Sequence, residues 1–218
     1  GHEVILVSSG AIGMGVGKLG LLERPTDVPT KQAAAAVGQC ELMYFYDKIL
    51  GEYHHIVAQL LITGEDIANE TRHQNFSNTL NRLLQLGALP IINENDTVGT
   101  KEIVIGDNDT LAAIVAESVK ADLLILLSDI DGLYTADPRN NSDATLIHTI
   151  TKLDDSILAL AGGSGTKRGT GGMVTKLQAA KICMGCGCDM VIANGSNPTN
   201  LYDILDGKDV GTRFTEVQ

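Results

Sequence analysis

Short apolar runs, each followed by small or polar residues, constrain the fold of this chain more than any other feature. They cover residues 4–7, 89–92, 123–127 and 190–193, with amphipathic helical stretches between them. Continuous apolar runs of this length are typical of parallel strands that are buried on both faces. Because strands that alternate with helices pack as a parallel sheet covered on both sides, the sequence predicts an α/β fold with a mainly parallel sheet.

Apolar periodicity and turn residues predict the other elements. Pro29 begins a helical stretch with a continuous apolar face, and Gly87 ends another helix that contains Phe76 and Leu80. Residues 106–109 form a capping sequence ahead of a further amphipathic helix. Shorter patterns predict strands at 57–62 and 210–214, a hairpin near 102–105, and helices at 155–160, 172–184 and 201–205.

Polar residues that follow the predicted strands are the first candidates for ligand binding. Ligands of open parallel sheets bind beyond the carboxyl ends of the strands, so we expect these residues to line one cleft. Ser9 and Gly10 offer a hydroxyl and backbone N–H groups to an anion at the start of a helix. Asp96 offers a carboxylate that suits an ammonium group. Asn108 both donates and accepts, which fits a zwitterion such as an amino acid.

Turn and cap chemistry is the alternative explanation for the same residues. Asp and Asn are common turn formers, so Asp96 has the alternative role of shaping the bend after residues 89–92. Asp109 either caps the helix that follows it or belongs to the site. Ligand binding is favoured for Asp96, because the four polar residues 93–96 follow a buried strand and include no glycine to form a turn.

A glycine-rich segment predicts a phosphate-binding loop. Six of the eleven residues in 162–172 are glycine, and glycines let backbone N–H groups converge on an anion. A helix that starts near Gly172 adds the positive end of its dipole, and Lys176 lies one turn further on the same face. Thr170 belongs to the same segment, whereas Lys167 is more simply a solvated lysine. The alternative for the whole segment is a flexible surface loop before an amphipathic helix.

Ser128 and Asp129 follow the most apolar run and extend the candidate phosphate site. Asp129 either holds a lysine or lies near a metal–phosphate complex, and turn formation is again the alternative. The sequence contains no G-x-x-x-x-G-K-S/T motif, no protein-kinase H-R-D or D-F-G motif and no G-x-S-x-G motif. These absences argue against a P-loop enzyme, a protein kinase and an α/β-hydrolase. Histidine-rich metal motifs are also absent, so we predict no metal site built by the protein.

Charge and cysteine content narrow the class of partner. The formal net charge is −11, which argues against nucleic acid and anionic membranes, because both require basic patches. No apolar run approaches the length of about 18 residues that spans a bilayer. The spacing of three cysteines is compatible with a metal site that uses three sulfur ligands, namely Cys183, Cys186 and Cys188. They are better explained as small buried thiols of a cytoplasmic protein, and all four cysteines, including the distant Cys40, suggest a reducing compartment.

Six segments in a fixed order over nearly the whole chain resemble the amino acid kinase family. They are VILVSSGAI (4–12), KQAAAAVGQ (31–39), PIINENDTV (90–98), IGDNDTLAA (105–113), LLSDIDGLYTADPR (126–139) and GTGGMVTKLQAA (169–180). NEND followed by GDND distinguishes members that act on glutamate from relatives that act on aspartate, acetylglutamate, carbamate or UMP. The resemblance implies an open three-layer αβα sandwich, with a glutamate-binding lobe at about 1–115 and a nucleotide-binding lobe at about 116–218.

The resemblance also implies a reaction and its residues. The reaction is phosphorylation of the L-glutamate side-chain carboxylate by ATP and Mg²⁺ to L-glutamyl 5-phosphate, the first step of proline biosynthesis. Ser9, Gly10, Asp96 and Asn108 resemble substrate-binding positions, and those that resemble catalytic positions are Lys176 and Asp109. The positions that resemble the nucleotide site are Ser128, Asp129, Thr170, Gly171, Gly172, Met173, Val174, Thr175 and Lys176.

Family members begin with a strand that carries a catalytic lysine in a Lys-x-Gly-Ser/Thr motif. We therefore expect that strand and its helix to be missing ahead of Gly1, and we expect no PUA domain in this chain. The resemblance further suggests a homo-oligomer, either a dimer or a tetramer, and feedback inhibition by proline. Two alternative functions remain open, which are a non-catalytic amino-acid or nucleotide sensor on the same fold and the kinase domain of a bifunctional pyrroline-5-carboxylate synthase.

Overall fold

A computed structural model describes residues 1–99, 105–161 and 170–216 of the 218-residue chain. The chain divides into two compact units, Gly1–Leu111 and Ala112–Gln218. The boundary falls inside one helix, which runs from Asn108 to Val119. Within the described residues, no helix combines the length and the apolar character needed to cross a lipid bilayer.

The first unit alternates strands and helices around a three-stranded parallel sheet. Its elements are β1 (Leu6–Val7), α1 (Ala11–Lys18), α2 (Val28–Gly51), β2 (Ile56–Ile62), α3 (Gly64–Ala68), α4 (Glu70–Gln85), β3 (Ala88–Glu94) and the beginning of α5 (Asn108–Val119). The central strand is β3, which pairs in parallel with β1 on one side and β2 on the other. Ile91 and Ile92 of β3 and Leu80 of α4 are fully buried and form part of the core.

The helices α1 and α2 meet at a backbone contact that only glycine permits. A Cβ atom on Gly15 would lie 1.8 Å from the carbonyl oxygen of Ala34, and one on Gly38 would lie 1.7 Å from the carbonyl oxygen of Ala11. Both distances are far shorter than a van der Waals contact. The two glycines therefore let the helices touch backbone to backbone, and this contact sets the position of Gln39, the next residue of α2.

The second unit is built on a four-stranded mixed sheet. Its elements are the rest of α5, β4 (Leu123–Ser128), β5 (Thr149–Ile150), α6 (Asp155–Ala161), α7 (Thr170–Gly185), β6 (Asp189–Asn194), α8 (Asn200–Leu205) and β7 (Thr212–Phe214). The strand order is β4-β6-β7-β5, and β7 runs antiparallel to β6. Val191, Ala193 and Ile204 are buried at the centre of this unit.

The predicted α/β fold with a mainly parallel arrangement is confirmed, since four of the five strand pairings among the described residues are parallel. The first strand is shorter than predicted, and β3 extends two residues further, so that Asn93 and Glu94 lie in the strand. The helix α3 was not predicted, although Thr63 and Asp66 form a capping box that signals it. The hairpin predicted near 102–105 falls almost entirely outside the described residues.

The prediction of buried thiols is confirmed for two of the three clustered cysteines. Cys183 and Cys188 are buried between the end of α7 and the start of β6. A hydrogen bond with Cys188, together with burial, raises the pKa of the Cys183 thiol, which favours its neutral form. Cys186 is exposed, so the prediction of a buried thiol is wrong for this residue, and the distant Cys40 is exposed as well. Cys40 follows the buried Gln39 along α2 and therefore falls on another side of that helix.

Candidate functional site

A cavity of about 240 Å³ lies within the first unit, at the carboxyl ends of β1 and β3. Its lining includes all four residues predicted to bind substrate, Ser9, Gly10, Asp96 and Asn108. Ser9 and Gly10 connect β1 to α1, Asp96 follows β3, and Asn108 begins α5. Because β1 and β3 are parallel neighbours, both strands end at the same edge of the sheet. Three separate stretches of sequence therefore meet in one cavity.

The start of α1 presents backbone N–H groups at the cavity. Gly10 has a φ angle of 109°, a left-handed conformation that other residues rarely adopt, and it turns the chain from β1 into the helix. No described side chain caps this helix, and its first turn carries no acidic residue. The first N–H groups of a helix have no partner inside the helix. They are therefore available to an anionic group of a ligand, as predicted for Ser9 and Gly10.

A hydrogen-bond network beneath the cavity begins at Asn93. The backbone N–H of Glu94 donates to Asn93 Oδ1 at 2.9 Å, which makes this oxygen an acceptor. Asn93 Nδ2 is therefore the donor in its 3.0 Å contact with Gln39 Oε1, and both side chains are buried. Asn108 Nδ2 donates to the same Asn93 oxygen at 3.2 Å and to Ser9 Oγ at 2.6 Å.

This network determines which atoms remain for a ligand. Asn108 donates both of these hydrogen bonds through its Nδ2, and its Oδ1 has no hydrogen-bond partner among the described residues. Ser9 Oγ accepts from Asn108, so the hydroxyl proton of Ser9 can donate to a ligand. The cavity therefore offers a ligand one hydrogen-bond acceptor, Asn108 Oδ1, and one hydrogen-bond donor, the Ser9 hydroxyl. This pair matches the ammonium and carboxylate groups of an amino acid.

Three acidic side chains, Glu94, Asp96 and Asp107, also line the cavity. Burial raises the pKa of Asp96, and no described donor offsets the effect. Burial also raises the pKa of Glu94, although the N–H of Ile105 donates to its carboxylate at 2.7 Å. A half-buried carboxylate without a partner is stabilised by a cationic group. Asp96 is thus suited to a ligand ammonium group.

Asp107 and Arg24 were not predicted as lining residues. Asp107 caps α5, since its carboxylate accepts the N–H of Thr110 at 2.7 Å, so the capping role considered for Asp109 belongs to Asp107. Arg24 is the only cationic side chain that lines the cavity among the described residues. It lies in the connection between α1 and α2, where no sequence motif marks it, and it adds a positive charge to a cavity lined by acids.

In the second unit, the predicted polar residues also gather at the end of two strands. Ser128 ends β4 directly beside Asn194, the last residue of β6, and the N–H of Gly195 donates to the Ser128 carbonyl at 2.8 Å. The Ser128 hydroxyl donates to the Asp129 carboxylate at 3.2 Å. Asn194 Nδ2 donates to the Asp131 carboxylate at 2.8 Å, which adds an acid that was not predicted.

The helix α7 begins at Thr170, two residues before the predicted start at Gly172. The hydroxyl of Thr175 donates to the carbonyl of Gly172 at 2.9 Å within the first turns. Residues 162–169, which carry most of the predicted phosphate loop, lie outside the described residues. The phosphate loop therefore stays a prediction, and the described part of the site is the helix start.

Exposure changes sharply along the first two turns of α7. Gly172 and Val174 are exposed, and Met173 and Thr175 are half-buried. Lys176 is buried, with only 9% of its surface exposed. Lysine is rarely buried unless its charge is compensated, so burial of Lys176 indicates a compensating group around its ammonium. Its catalytic role stays a prediction, as does that of Asp109.

Comparison with known proteins shows which family this chain is similar to. A sequence profile of the amino acid kinase family matches residues 1–194. The chain is 55% identical over 218 residues to a glutamate 5-kinase of Clostridium tetani, covering 100% of this chain and 82% of the relative. It is 56% identical over 214 residues to a glutamate 5-kinase of Caldanaerobacter subterraneus, covering 98% of this chain and 58% of the relative.

Solved structures of two kinases have a similar fold. Carbamate kinase from Giardia lamblia bound to AMP-PNP has a TM-score of 0.67 and 17% sequence identity, over 100% of this chain and 84% of that structure. Isopentenyl phosphate kinase from T. acidophilum has a TM-score of 0.62 and 20% identity, over 97% of this chain and 83% of that structure. At these identities the similarity concerns the fold alone. Together with the family profile and the relatives above 50% identity, it shows that the chain belongs to the amino acid kinase family.

Proposed function

We propose that this chain transfers the γ-phosphoryl group of ATP to the side-chain carboxylate of L-glutamate, which gives L-glutamyl 5-phosphate and ADP. The product is the first intermediate of proline biosynthesis. The identity of 55% over the whole chain to a glutamate 5-kinase supports the reaction. The structural observation that carries the proposal is the donor and acceptor set of the 240 Å³ cavity, which matches an amino-acid zwitterion.

In this proposal the cavity of the first unit binds the amino acid. The ammonium group is bound by the Asp96 carboxylate and by Asn108 Oδ1, and its charge offsets the burial of Asp96. A carboxylate of the ligand accepts hydrogen bonds from the Ser9 hydroxyl and from the N–H groups at the start of α1. Arg24 contributes positive charge. A cavity of this size suits a small polar molecule better than a large cofactor.

The chemical step requires no general base, because the side-chain carboxylate of glutamate is already ionised near neutral pH. One of its oxygens forms a bond to the γ-phosphorus, the bond from this phosphorus to the bridging oxygen breaks, and ADP leaves with the electron pair. The main barrier is repulsion between the carboxylate and the phosphates. Positioning and positive charge lower such a barrier. We assign this role to Lys176 and to the N–H groups at the start of α7.

Ser128 and Asp129 complete the proposed nucleotide site of the second unit. Magnesium ion neutralises phosphate charge when it is bound with ATP. Among the described residues, no three or more His, Cys, Asp or Glu side chains are grouped to hold a metal ion. A carboxylate oxygen such as that of Asp129 is a ligand type that Mg²⁺ accepts alongside phosphates and water. We therefore assign the ion to the nucleotide phosphates, with Asp129 as its protein neighbour.

Three broader properties belong to the same proposal. Proline is also an amino-acid zwitterion, so a cavity with this donor and acceptor set suits it as an inhibitor that competes with glutamate. The protein acts in the cytoplasm, and it forms a homo-oligomer. The first property is tested by inhibition kinetics against glutamate, and the last by light scattering of the purified protein.

The test of the proposed reaction is an assay that traps the acyl phosphate with hydroxylamine. We expect product only when both glutamate and ATP are present. Asp96→Ala is expected to raise the KM for glutamate at least tenfold, since a lost charged hydrogen bond is worth about 1.5–3 kcal/mol. The KM for ATP should stay within twofold.

Asp47→Ala is the matched control, because Asp47 is an exposed aspartate of α2 in the same unit and does not line the cavity. Its kinetic constants should equal those of the wild type. Absence of hydroxamate with the wild-type protein would refute the reaction. A loss of ATP affinity in Asp96→Ala, with glutamate affinity preserved, would refute the assignment of the cavity to the amino acid.

A further inference from the structure

Gln39 is the buried end of the hydrogen-bond network beneath the amino-acid cavity. It has 7% of its surface exposed, and its Oε1 accepts from Asn93 Nδ2 at 3.0 Å. Asn93 in turn accepts from Asn108, whose other contact is the Ser9 hydroxyl. Gln39 lies 54 residues before Asn93 in sequence and does not line the large cavity. It is therefore connected to the site only through other side chains.

The amide nitrogen of Gln39, Nε2, has no hydrogen-bond partner among the described residues. It is the only buried side-chain nitrogen or oxygen without a partner in the part of the chain that the structure describes. A buried donor without a partner destabilises a fold, and native structures contain few of them. An apolar side chain of similar length would avoid this effect. The benefit of an amide at position 39 must therefore come from its oxygen, Oε1, which accepts the hydrogen bond of Asn93.

We propose that Gln39 is a positioning residue of the amino-acid site, which holds Asn93 and through it keeps Asn108 Oδ1 directed at the ligand ammonium group. The inference rests on the proposed function for the identity of the ligand, but the hydrogen-bond network itself does not. Without the acceptor at Gln39, Asn93 Nδ2 is left unpaired and its side chain turns toward other acceptors. Asn108 then loses one of its two fixed contacts, and the direction of its free oxygen is no longer defined.

The position of Gln39 follows from the close contact of α1 and α2. Gly38 touches the backbone of Ala11 directly, so α2 cannot move away from α1 without breaking this contact. Gln39 also lines a second, much smaller cavity together with Glu94 and Asp96. Gln39 thus lies between the contact of α1 with α2 and the acidic residues Glu94 and Asp96. A residue so placed affects recognition of the ammonium group and leaves the nucleotide unaffected.

The test compares glutamate with glutarate, which has the same two carboxylates but no ammonium group. Gln39→Met removes the acceptor and keeps the length of the side chain. We expect a threefold to tenfold rise in the KM for glutamate, the effect of about one neutral hydrogen bond. The inhibition constant for glutarate and the KM for ATP should both stay within twofold. Gln39→Glu keeps an acceptor for Asn93, and its KM for glutamate should return to within threefold of the wild type.

Gln32→Met is the matched control. Gln32 lies on the same helix and is half-buried, but its Nε2 donates to the carbonyl of Gly99 and takes no part in the network. Its constants for all three ligands should equal those of the wild type. Equal weakening of glutamate and glutarate in Gln39→Met would overturn the proposal, because that result indicates a general distortion of the cavity.

A second measurement needs no enzymatic activity. The side-chain NH₂ protons of Asn93 and Asn108 are followed by NMR in the protein without ligand, and their exchange with solvent is expected to accelerate at least fivefold in Gln39→Met. They should not change in Gln32→Met. Unchanged exchange in Gln39→Met would overturn the positioning role even if glutamate turnover is normal. If the wild-type protein fails to turn over glutamate but Gln39→Met still shows faster exchange than the wild type, the proposed reaction is refuted and the positioning role of Gln39 is supported.

Discussion

The two candidate sites of this chain are built in different ways. The amino-acid cavity of the first unit depends on side chains that are far apart in sequence, since Ser9 and Asn108 are 99 residues apart and Gln39 and Asn93 are 54 apart. The described part of the candidate phosphate site in the second unit uses short segments, namely the first turns of α7 with Lys176 and the end of β4 with Ser128 and Asp129. The difference teaches that recognition of a particular amino acid is a tertiary property, whereas phosphate binding by N–H groups is a local one.

This contrast predicts different consequences of mutation. Changes in the first unit should alter the affinity for the amino acid and the stability of its network. Changes in the second unit should alter the rate of phosphoryl transfer, because charge at the phosphates is worth most in the transition state. The following experiments separate the two.

The largest effect is expected for Lys176→Ala. Removal of a preorganised charge that stabilises a transition state lowers turnover by about 10²–10³, and we expect kcat to fall at least that far. The KM for glutamate should change little, because Lys176 belongs to the unit that does not contain the amino-acid cavity. Steady-state kinetics with each substrate varied in turn measures both constants.

Lys181→Ala is the control for this variant, since Lys181 lies on the same helix but is exposed. Its kcat should be that of the wild type. A near-normal kcat for Lys176→Ala would contradict the proposal that the second unit determines the rate of phosphoryl transfer.

A large effect on stability is expected for Gly38→Ala. The added Cβ would lie 1.7 Å from the Ala11 carbonyl oxygen, so α1 and α2 must separate. Overpacking of this kind costs about 1–3 kcal/mol, which lowers the Tm of a chain of this size by about 2–12 °C. The shift of α2 should also raise the KM for glutamate through Gln39. Thermal unfolding and steady-state kinetics test both expectations.

Gly17→Ala provides the comparison, because a Cβ at Gly17 of α1 meets no atom within 4 Å. Alanine is the better helix former, so this variant should be as stable as the wild type or more stable by up to about 1 kcal/mol. If Gly38→Ala were equally harmless, the helix contact would not determine the first site.

The smallest effect concerns the pH dependence of stability at Asp96. Burial raises the pKa of Asp96 in the folded protein above its ordinary value of 3.8. Between 3.8 and the raised value, the unfolded chain has lost the proton and the folded protein still binds it, so stability falls as pH rises through this interval. Asp96→Asn removes this loss. We expect its Tm to exceed that of the wild type near pH 7 by on the order of 2 °C.

The difference in Tm between Asp96→Asn and the wild type should disappear when the pH falls below 3.8, where Asp96 is protonated in both the folded and the unfolded protein. Thermal unfolding of both proteins across this range, without ligand, measures it. The same variant should bind glutamate more weakly, so that stability and binding change in opposite directions. A lower Tm for Asp96→Asn near neutral pH would show that Asp96 already has a stabilising partner and is not reserved for a ligand.

Most of the fold could be predicted from the sequence, since apolar runs and helical spacing are local properties. The runs at 89–92, 123–127 and 190–193 correspond to β3, β4 and β6, and the periodic stretch after Pro29 corresponds to α2. The two-residue strand β5 could not be predicted, because so short a segment has no period and exists only through its pairing with β7.

The amino-acid sequence was also sufficient to nominate Ser9, Gly10, Asp96 and Asn108, because polar residues at the ends of parallel strands gather at one edge of the sheet. The tertiary structure alone decided that Gln39 accepts a hydrogen bond from Asn93, that Arg24 lines the same cavity and that Asp107 is the residue within 106–109 whose carboxylate caps α5. The reason is physical. Whether an amide presents its oxygen or its nitrogen depends on the partners around it, and for Asn93 and Asn108 those partners come from distant parts of the chain.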